Sequence, residues 1–298
     1  MTGRPVEVPV ALPMVPTGGQ RLWADAFRRL VKSRGATSGG VIFGLFVFMA
    51  LAAPLLTPYD PIRLNVVESL EPPSARHWLG TDQFGRDVLA RVIYGARVSM
   101  AMGVVAVTIS VVLGLALGLV SGYYCGTVDL LVMRLVDVML AFPGILLALV
   151  IIAVLGPNLG SAMIAVGVSG MPLFVRVVRS STLTVRALQY VEAAQAAGSS
   201  DVRVLVRHVL PNVLTPVIVL VTLGIPSAIV AGAALSFLGL SVKPPTPDWG
   251  EMLSKGRAFM GTAWWLSTFP GLAIAVIVLA INRFGDGLRD ALDPRMKL

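Results

Sequence analysis

The sequence predicts an all-α membrane protein with six spanning helices. Three observations predict it. Only 13% of the 298 residues are charged and 56% are hydrophobic, mean hydropathy is +0.82, and the apolar residues gather into runs of bilayer length. A soluble domain carries about a quarter charged residues, so the excess apolar surface must meet lipid or other apolar helices. A spanning helix needs about 20 mainly apolar residues. The qualifying stretches are 39–56, 98–120, 133–155, 159–174, 213–238 and 264–282. The fourth is the shortest and contains Pro172, and prolines 143, 216, 226 and 270 fall in or beside other spans. In lipid such breaks are tolerated where neighbouring helices re-satisfy the freed backbone groups, which points to a packed bundle.

Residues 1–20 contain Pro5, Pro9, Pro13 and Pro16 and read as a disordered extension. No adjoining apolar core and small-residue cleavage site mark them as a signal peptide. Across 21–38, Trp23, Phe27 and Leu30 recur at i, i+4 and i+7 among Arg28, Arg29 and Lys32. That pattern suits a helix lying on the inner membrane surface. Residues 39–97 then form the first span and a long outer segment, 58–97, too long for a simple connector. With the N-terminus inside, 16 of the 24 Lys and Arg residues fall on the cytoplasmic side when Arg134 is counted there. The bias places both termini in the cytoplasm, and it accounts for the net charge of +8 by topology rather than by nucleic acid.

Chemistry is sparse. The lone Cys125 builds neither a disulfide framework nor a metal site, and His77 and His208 fall on opposite sides of the membrane in this topology. No Gly-x4-Gly-Lys-Ser/Thr phosphate loop occurs, so any driving energy comes from a partner or an ion gradient. Gly114, Gly118 and Gly122, four apart on the second span, permit close approach of another helix, within this chain or from a second subunit. Asp137 is the carboxylate set well inside a span, and Arg134 at i−3 is its expected ion-pair partner. Between 238 and 263, Lys243-Pro-Pro-Thr-Pro-Asp-Trp249 has stiff turn chemistry.

One inner segment, 176–212, is organised. Leu183, Ala187, Tyr190, Ala194 and Ala197 recur at helical spacing in an alanine-rich run. Gly198 supplies the left-handed residue that ends a helix, and Ser199 and Ser200 offer N-caps for another. The second helix is expected to group Val202, Leu205, Val206 and Val209 on one face, with Arg203 and Arg207 opposite and Pro211 as its stop. The expectation is a helical hairpin over 182–211.

Within it, Glu192-Ala-Ala-Gln-Ala-Ala-Gly198, followed ten residues after the glycine by His208-Val-Leu-Pro211, resembles the EAA motif of permease subunits in bacterial ABC importers. Two further stretches resemble the C-type permeases of dipeptide and oligopeptide importers. They are His77-Trp-Leu-Gly-Thr-Asp-Gln-Phe-Gly-Arg-Asp-Val-Leu-Ala-Arg91, and Phe269-Pro-Gly-Leu-Ala-Ile with Gly285-Asp-Gly-Leu-Arg-Asp-Ala-Leu-Asp-Pro-Arg295. The resemblance covers roughly residues 30–296 and implies a type I importer permease, its core at 98–298, in the bacterial cytoplasmic membrane. It implies a homologous B-type permease subunit, two cytoplasmic ATPase subunits that bind the ATP, and an extracytoplasmic solute-binding protein as partners. It also implies a non-catalytic pore subunit with no cofactor of its own. Glu192, Ala193, Ala194, Gly198, His208, Leu210 and Pro211 are then the ATPase-docking residues. Cargo is expected to be short peptides, with haem or nickel as the alternative. Two other functional classes make different demands on the sequence. An ion-coupled secondary transporter calls for buried acids or a pseudo-repeat, and an intramembrane enzyme for a nucleophile–base pair or metal cluster within the spans.

Overall fold

In the computed structural model, which describes residue 28 and residues 30–292, every regular element is helical apart from one isolated β-bridge between Thr81 and Asp87. The expected disordered stretch 1–20, residues 21–27 and 29 of the expected interfacial helix 21–38, and the tail 293–298 lie outside the described residues. Five helices are long and apolar enough to cross a membrane: α1 (Arg34–Leu51), α2 (Val88–Tyr124), α5 (Leu159–Arg186), α7 (Asp201–Phe237) and α9 (Trp265–Leu292). Between α2 and α5 the expected single span 133–155 is instead two helices, α3 (Gly126–Leu140) and α4 (Gly144–Leu155), bent by 98°. The break falls at Phe142-Pro143. Proline has no N–H for the helix ladder and disfavours helical geometry at the residue before it. Among the shorter helices are α6 (Gln189–Ala196) and α8 (Trp249–Gly256), beside single turns at Ala53–Leu56, Val66–Glu68 and Arg257–Phe259.

Several boundaries move from expectation. Ser33 caps α1, its side chain accepting from the Ala36 amide, so the first span begins at Arg34 rather than at 39. The second begins at Val88, not 98, because Asp87 caps it: the Asp87 carboxylate accepts from the Ala90 amide at 2.7 Å. The fourth span runs past the buried Pro172 as far as Arg186 instead of ending at 174.

The packing centre is the pair α2–α5. Gly118 shows why they lie so close. A Cβ built there would come 2.6 Å from the Val178 Cβ and 2.9 Å from the Val175 carbonyl oxygen. Gly114 meets Phe174 and Gly122 meets Thr182 in the same way, while Gly167 on α5 meets Ile109 on α2. The glycine row is thus a contact within this chain. Ser110 adds a polar rivet at this crossing, donating to the Gly167 carbonyl at 2.6 Å.

The outer segment is a polar knot rather than a tether. Arg91 is buried on α2 and donates to the Pro61 carbonyl at 2.9 Å, to the Pro245 carbonyl at 3.2 Å and to Glu251 at 3.2 Å. It thereby ties both outer loops to one helix. Asp82 pairs with Arg86 at 2.6 Å, and His77 Nδ1 bonds Asp87 at 2.9 Å. Trp249 donates to the Val92 carbonyl and Trp265 to the Thr81 carbonyl. Burial pushes the Asp248 and Glu251 carboxyls above the ordinary range, and the Arg91 guanidinium opposes this at Glu251.

Replacing Gly118 with leucine should destabilise the purified protein by about 3 kcal/mol, near the upper end for overpacking. Gly44→Leu, where a Cβ meets nothing within 4 Å, should leave the detergent unfolding midpoint unchanged. Equal midpoints would mean that α2 and α5 do not pack through this row. Arg91→Met should cost roughly 3–5 kcal/mol by stranding Glu251 and two carbonyls. Arg76→Met, whose side chain is 68% exposed beside Glu68, should cost about 1 kcal/mol or less in the same measurement.

Candidate functional site

The C-terminal end of α5 and the N-terminal end of α7 carry the segment singled out in the sequence. Its first arm is not one helix over 182–197. The α5 helix ends at Arg186, the chain turns through Ala187 and Leu188, and α6 forms separately. Gly198 then adopts φ +82°. Its amide donates to the Gln195 carbonyl at 2.9 Å, and the Ser199 amide donates to the Ala194 carbonyl at 3.1 Å. These two bonds form a Schellman turn, which requires a left-handed residue at position 198. Ser200 occupies the next N-cap without a side-chain bond. Asp201 follows in the first turn, where the helix dipole favours a negative charge.

The second arm departs from expectation in its face. Val204 and Val209 are fully buried, whereas Val202 is 68% and Val206 58% exposed. Residues Leu205–Val209 make one π-helical turn, closed by the Leu210 amide on the Leu205 carbonyl. Across such a turn five residues, not four, return to the same face. The buried row is therefore Val204, Val209, Val213 and Val217. The same wide turn explains why Pro211 does not stop the helix. Proline is tolerated where its missing N–H and its ring meet no tight ladder, and α7 continues to Phe237.

The buried valines Val191, Val204 and Val209 join the same apolar cluster as Met102, Val107 and Phe174 of the spans. Tyr123, at the inner end of α2, completes the join. Its hydroxyl donates to Asp201 at 2.8 Å and accepts from Gln195 Nε2 at 2.9 Å. One buried side chain therefore grips both arms. Nearby, Arg179 of α5 forms a two-pronged pair with Asp129 of α3. Asn212 donates to the Tyr190 hydroxyl at 3.1 Å and to the His208 carbonyl at 2.7 Å.

Among the residues expected to dock, Glu192, Ala193, Gly198 and Pro211 are exposed, and Ala194, His208 and Leu210 are half-buried. Leu188, Tyr190, Val202 and Val206 add exposed apolar surface around them. The hairpin brings His208 beside Tyr190, ring centres 6.2 Å apart. Sequence reasoning missed Tyr123, Gln195 and Asp201. Only Tyr123 carried a signal, as an aromatic residue with a polar tip at a membrane boundary. Asp137 also departs from expectation: it pairs with Arg176 of α5 at 2.7 Å rather than with Arg134.

Residues 114–298 match the family model described as binding-protein-dependent transport system inner membrane component. Residues 21–73 match the N-terminal TM domain of oligopeptide transport permease C. The dipeptide transport system permease protein DppC of Alkalihalophilus pseudofirmus is 47% identical over 92% of this chain and 90% of its own. The di/tripeptide transport system permease protein DppC of Pseudomonas aeruginosa is 46% identical over 92% of each chain. The glutathione transport system permease protein GsiD of Pectobacterium atrosepticum is 41% identical, again over 92% of each. Among solved structures, the inward-facing MetNI methionine ABC transporter aligns with a TM-score of 0.57 at 18% identity. That alignment covers 69% of this chain and 97% of the other, and at such identity the likeness concerns the fold. The chain belongs to the family of binding-protein-dependent transport system inner membrane components.

Proposed function

We propose that this chain forms half of the translocation pore of an ATP-driven importer of di- and oligopeptides in the bacterial cytoplasmic membrane. The observation that carries the reading is the hairpin: a Schellman-turned pair of arms, apolar and of mixed charge on its exposed side, where Glu192 and Asp201 stand with Arg203 and Arg207, and braced on its buried side by the spans. A surface so built suits a groove on a separate ATPase, with Glu192 and Ala193 outermost and Gly198 at the turn. The chain itself performs no catalysis and holds no cofactor; ATP is bound by two cytoplasmic ATPase subunits. A homologous B-type permease subunit completes the pore, a solute-binding protein delivers cargo outside, and both termini lie in the cytoplasm.

The geometry supports a transmission route. A push on α6 reaches Gln195 and Asp201, and Tyr123 passes it to α2. The buried valines pass it to α7. Because packed cores deform in discrete steps rather than continuously, the result is a rigid-body switch between outward- and inward-facing forms. A peptide cargo is supported over haem or nickel by the peptide and glutathione permeases that share over 40% of this sequence.

Three measurements test this reading. Gly198→Val forces a β-branched residue to positive φ; membrane insertion should persist while ATPase subunits co-purify about tenfold less, a loss of roughly 1.4 kcal/mol in association. Undiminished co-purification would exclude the hairpin as the dock. Tyr123→Phe keeps the ring and removes the bridge, so ATPase association should survive while solute moved per ATP falls several-fold. Calorimetry of the partner solute-binding protein against di- to pentapeptides, haem and nickel decides the cargo, and peptide silence with haem or nickel binding would overturn the peptide assignment.

A further inference from the structure

Asp137 on α3 and Arg176 on α5 lie 2.7 Å apart with their side chains 52% and 50% exposed. Arg176 belongs to a membrane-spanning helix, and Asp137 to the first half of the bent pair α3–α4, which together has the length and composition of one span. Arg176 stands 17 residues beyond Leu159, the outer end of α5, which is about 25 Å along the axis at 1.5 Å per residue. The hydrocarbon layer is about 30 Å thick, so the pair sits in its inner part. A charged side chain turned to lipid is costly, and such residues face a bundle interior or water. The interior of this bundle is not where these two point, since half of each side chain is uncovered. Their face therefore meets water or another chain in the assembled protein.

The surroundings favour water. Arg176 lies between Leu173 and Val177 on α5. Leu173 lines a cavity of about 420 Å³ that also presents the hydroxyls of Ser110, Ser169 and Ser227. Val177 lines a second, of about 380 Å³, that reaches Thr215 and Arg289 toward the cytoplasmic end. Leu220 and Leu223 of α7 border both cavities, which therefore adjoin along the groove between α5 and α7. Elsewhere on the spans, Val154 on α4 and Leu279 on α9 present apolar side chains at the exposed surface.

We propose that this groove is the chain's wall of the solute path, and that Asp137 and Arg176 form a latch matched to a zwitterionic peptide. The inference rests on the peptide reading above. An ion pair held at the path is satisfied when the path is empty. A passing peptide offers an ammonium to Asp137 and a carboxylate to Arg176, so the internal pair is exchanged for two intermolecular ones without leaving any charge unpaired. The requirement at this depth is strict, because an unpaired charge is the expensive state. A solute lacking one terminal charge would strand one member of the pair.

The test uses the assembled transporter in inside-out vesicles, in a Cys125→Ser background that retains peptide uptake. Single cysteines at Leu173, Val177 and Leu223 are compared with Val154 and Leu279 for reaction with a charged, membrane-impermeant thiol reagent. We expect the groove positions to react at least tenfold faster. Groove cysteines as inert as those at Val154 and Leu279 would overturn the wall. Millimolar free dipeptide should slow labelling of the Val177 cysteine, while the same dipeptide acetylated and amidated should not, and adding Arg176→Gln should abolish the difference. Equal protection by both forms, or a difference that survives Arg176→Gln, would overturn the latch. Peptide uptake by right-side-out vesicles loaded with ATP and prepared from the same cells reports separately on the peptide reading, so its failure is distinguishable from failure of the groove.

Discussion

The approach of α2 to α5 through a row of glycines sets the geometry on which the other elements rely. Side chains at Gly114, Gly118 or Gly122 would hold the axes apart, because Phe174, Val178 and Thr182 already occupy the space. In lipid there is no hydrophobic drive between helices, so close van der Waals packing and interhelical hydrogen bonds supply the association. The Ser110 bond to the Gly167 carbonyl belongs to the same contact. With this pair fixed, the inner end of α2 delivers Tyr123 to the hairpin, and the inner end of α5 delivers Arg179 to Asp129. The hairpin's position is thus inherited from packing well inside the membrane.

At the other end of α2 the same rigidity serves the outer loops. Arg91 is held by carbonyls from residues 61 and 245 and by Glu251, drawing segments far apart in sequence onto one buried guanidinium. A planar group with five donors suits this task better than a lysine ammonium would. The α2 helix therefore runs as one 37-residue strut from a polar knot at its N-terminal end to a polar clamp at its C-terminal end, with apolar and small residues between. Struts of this kind transmit displacement because neither end is free to yield separately.

Much of this was legible in the residues, for identifiable reasons. Six apolar stretches are visible because lipid imposes length and composition together, and Gly198 is visible because a glycine between two polar helical runs has few other uses. The break at Phe142-Pro143 was visible as a proline, but the smooth hydropathy across 133–155 hid its angle. Asp137 illustrates a different limit. Local spacing offers Arg134 as its partner, whereas the fold brings Arg176 from 39 residues away. Tyr123 is similar, since its partners are 72 and 78 residues distant. The buried face of the second arm was misread because a period of 3.6 was applied through a turn that does not obey it.

That π turn has a consequence of its own. One additional residue within a helix rotates everything beyond it by about 100° relative to an unbroken α-helix, since 3.6 residues make a turn. Residues 201–204 and residues 210–237 belong to one continuous rod but to two angular registers. The exposed valines at 202 and 206 can therefore face away from the bundle below the bilayer, while Val213 and Val217 face into it above. Substitution on one side of the turn leaves the phase of the other side intact. The exposed face of residues 201–206 and the membrane-spanning surface of α7 are in this sense separately adjustable parts of a single helix.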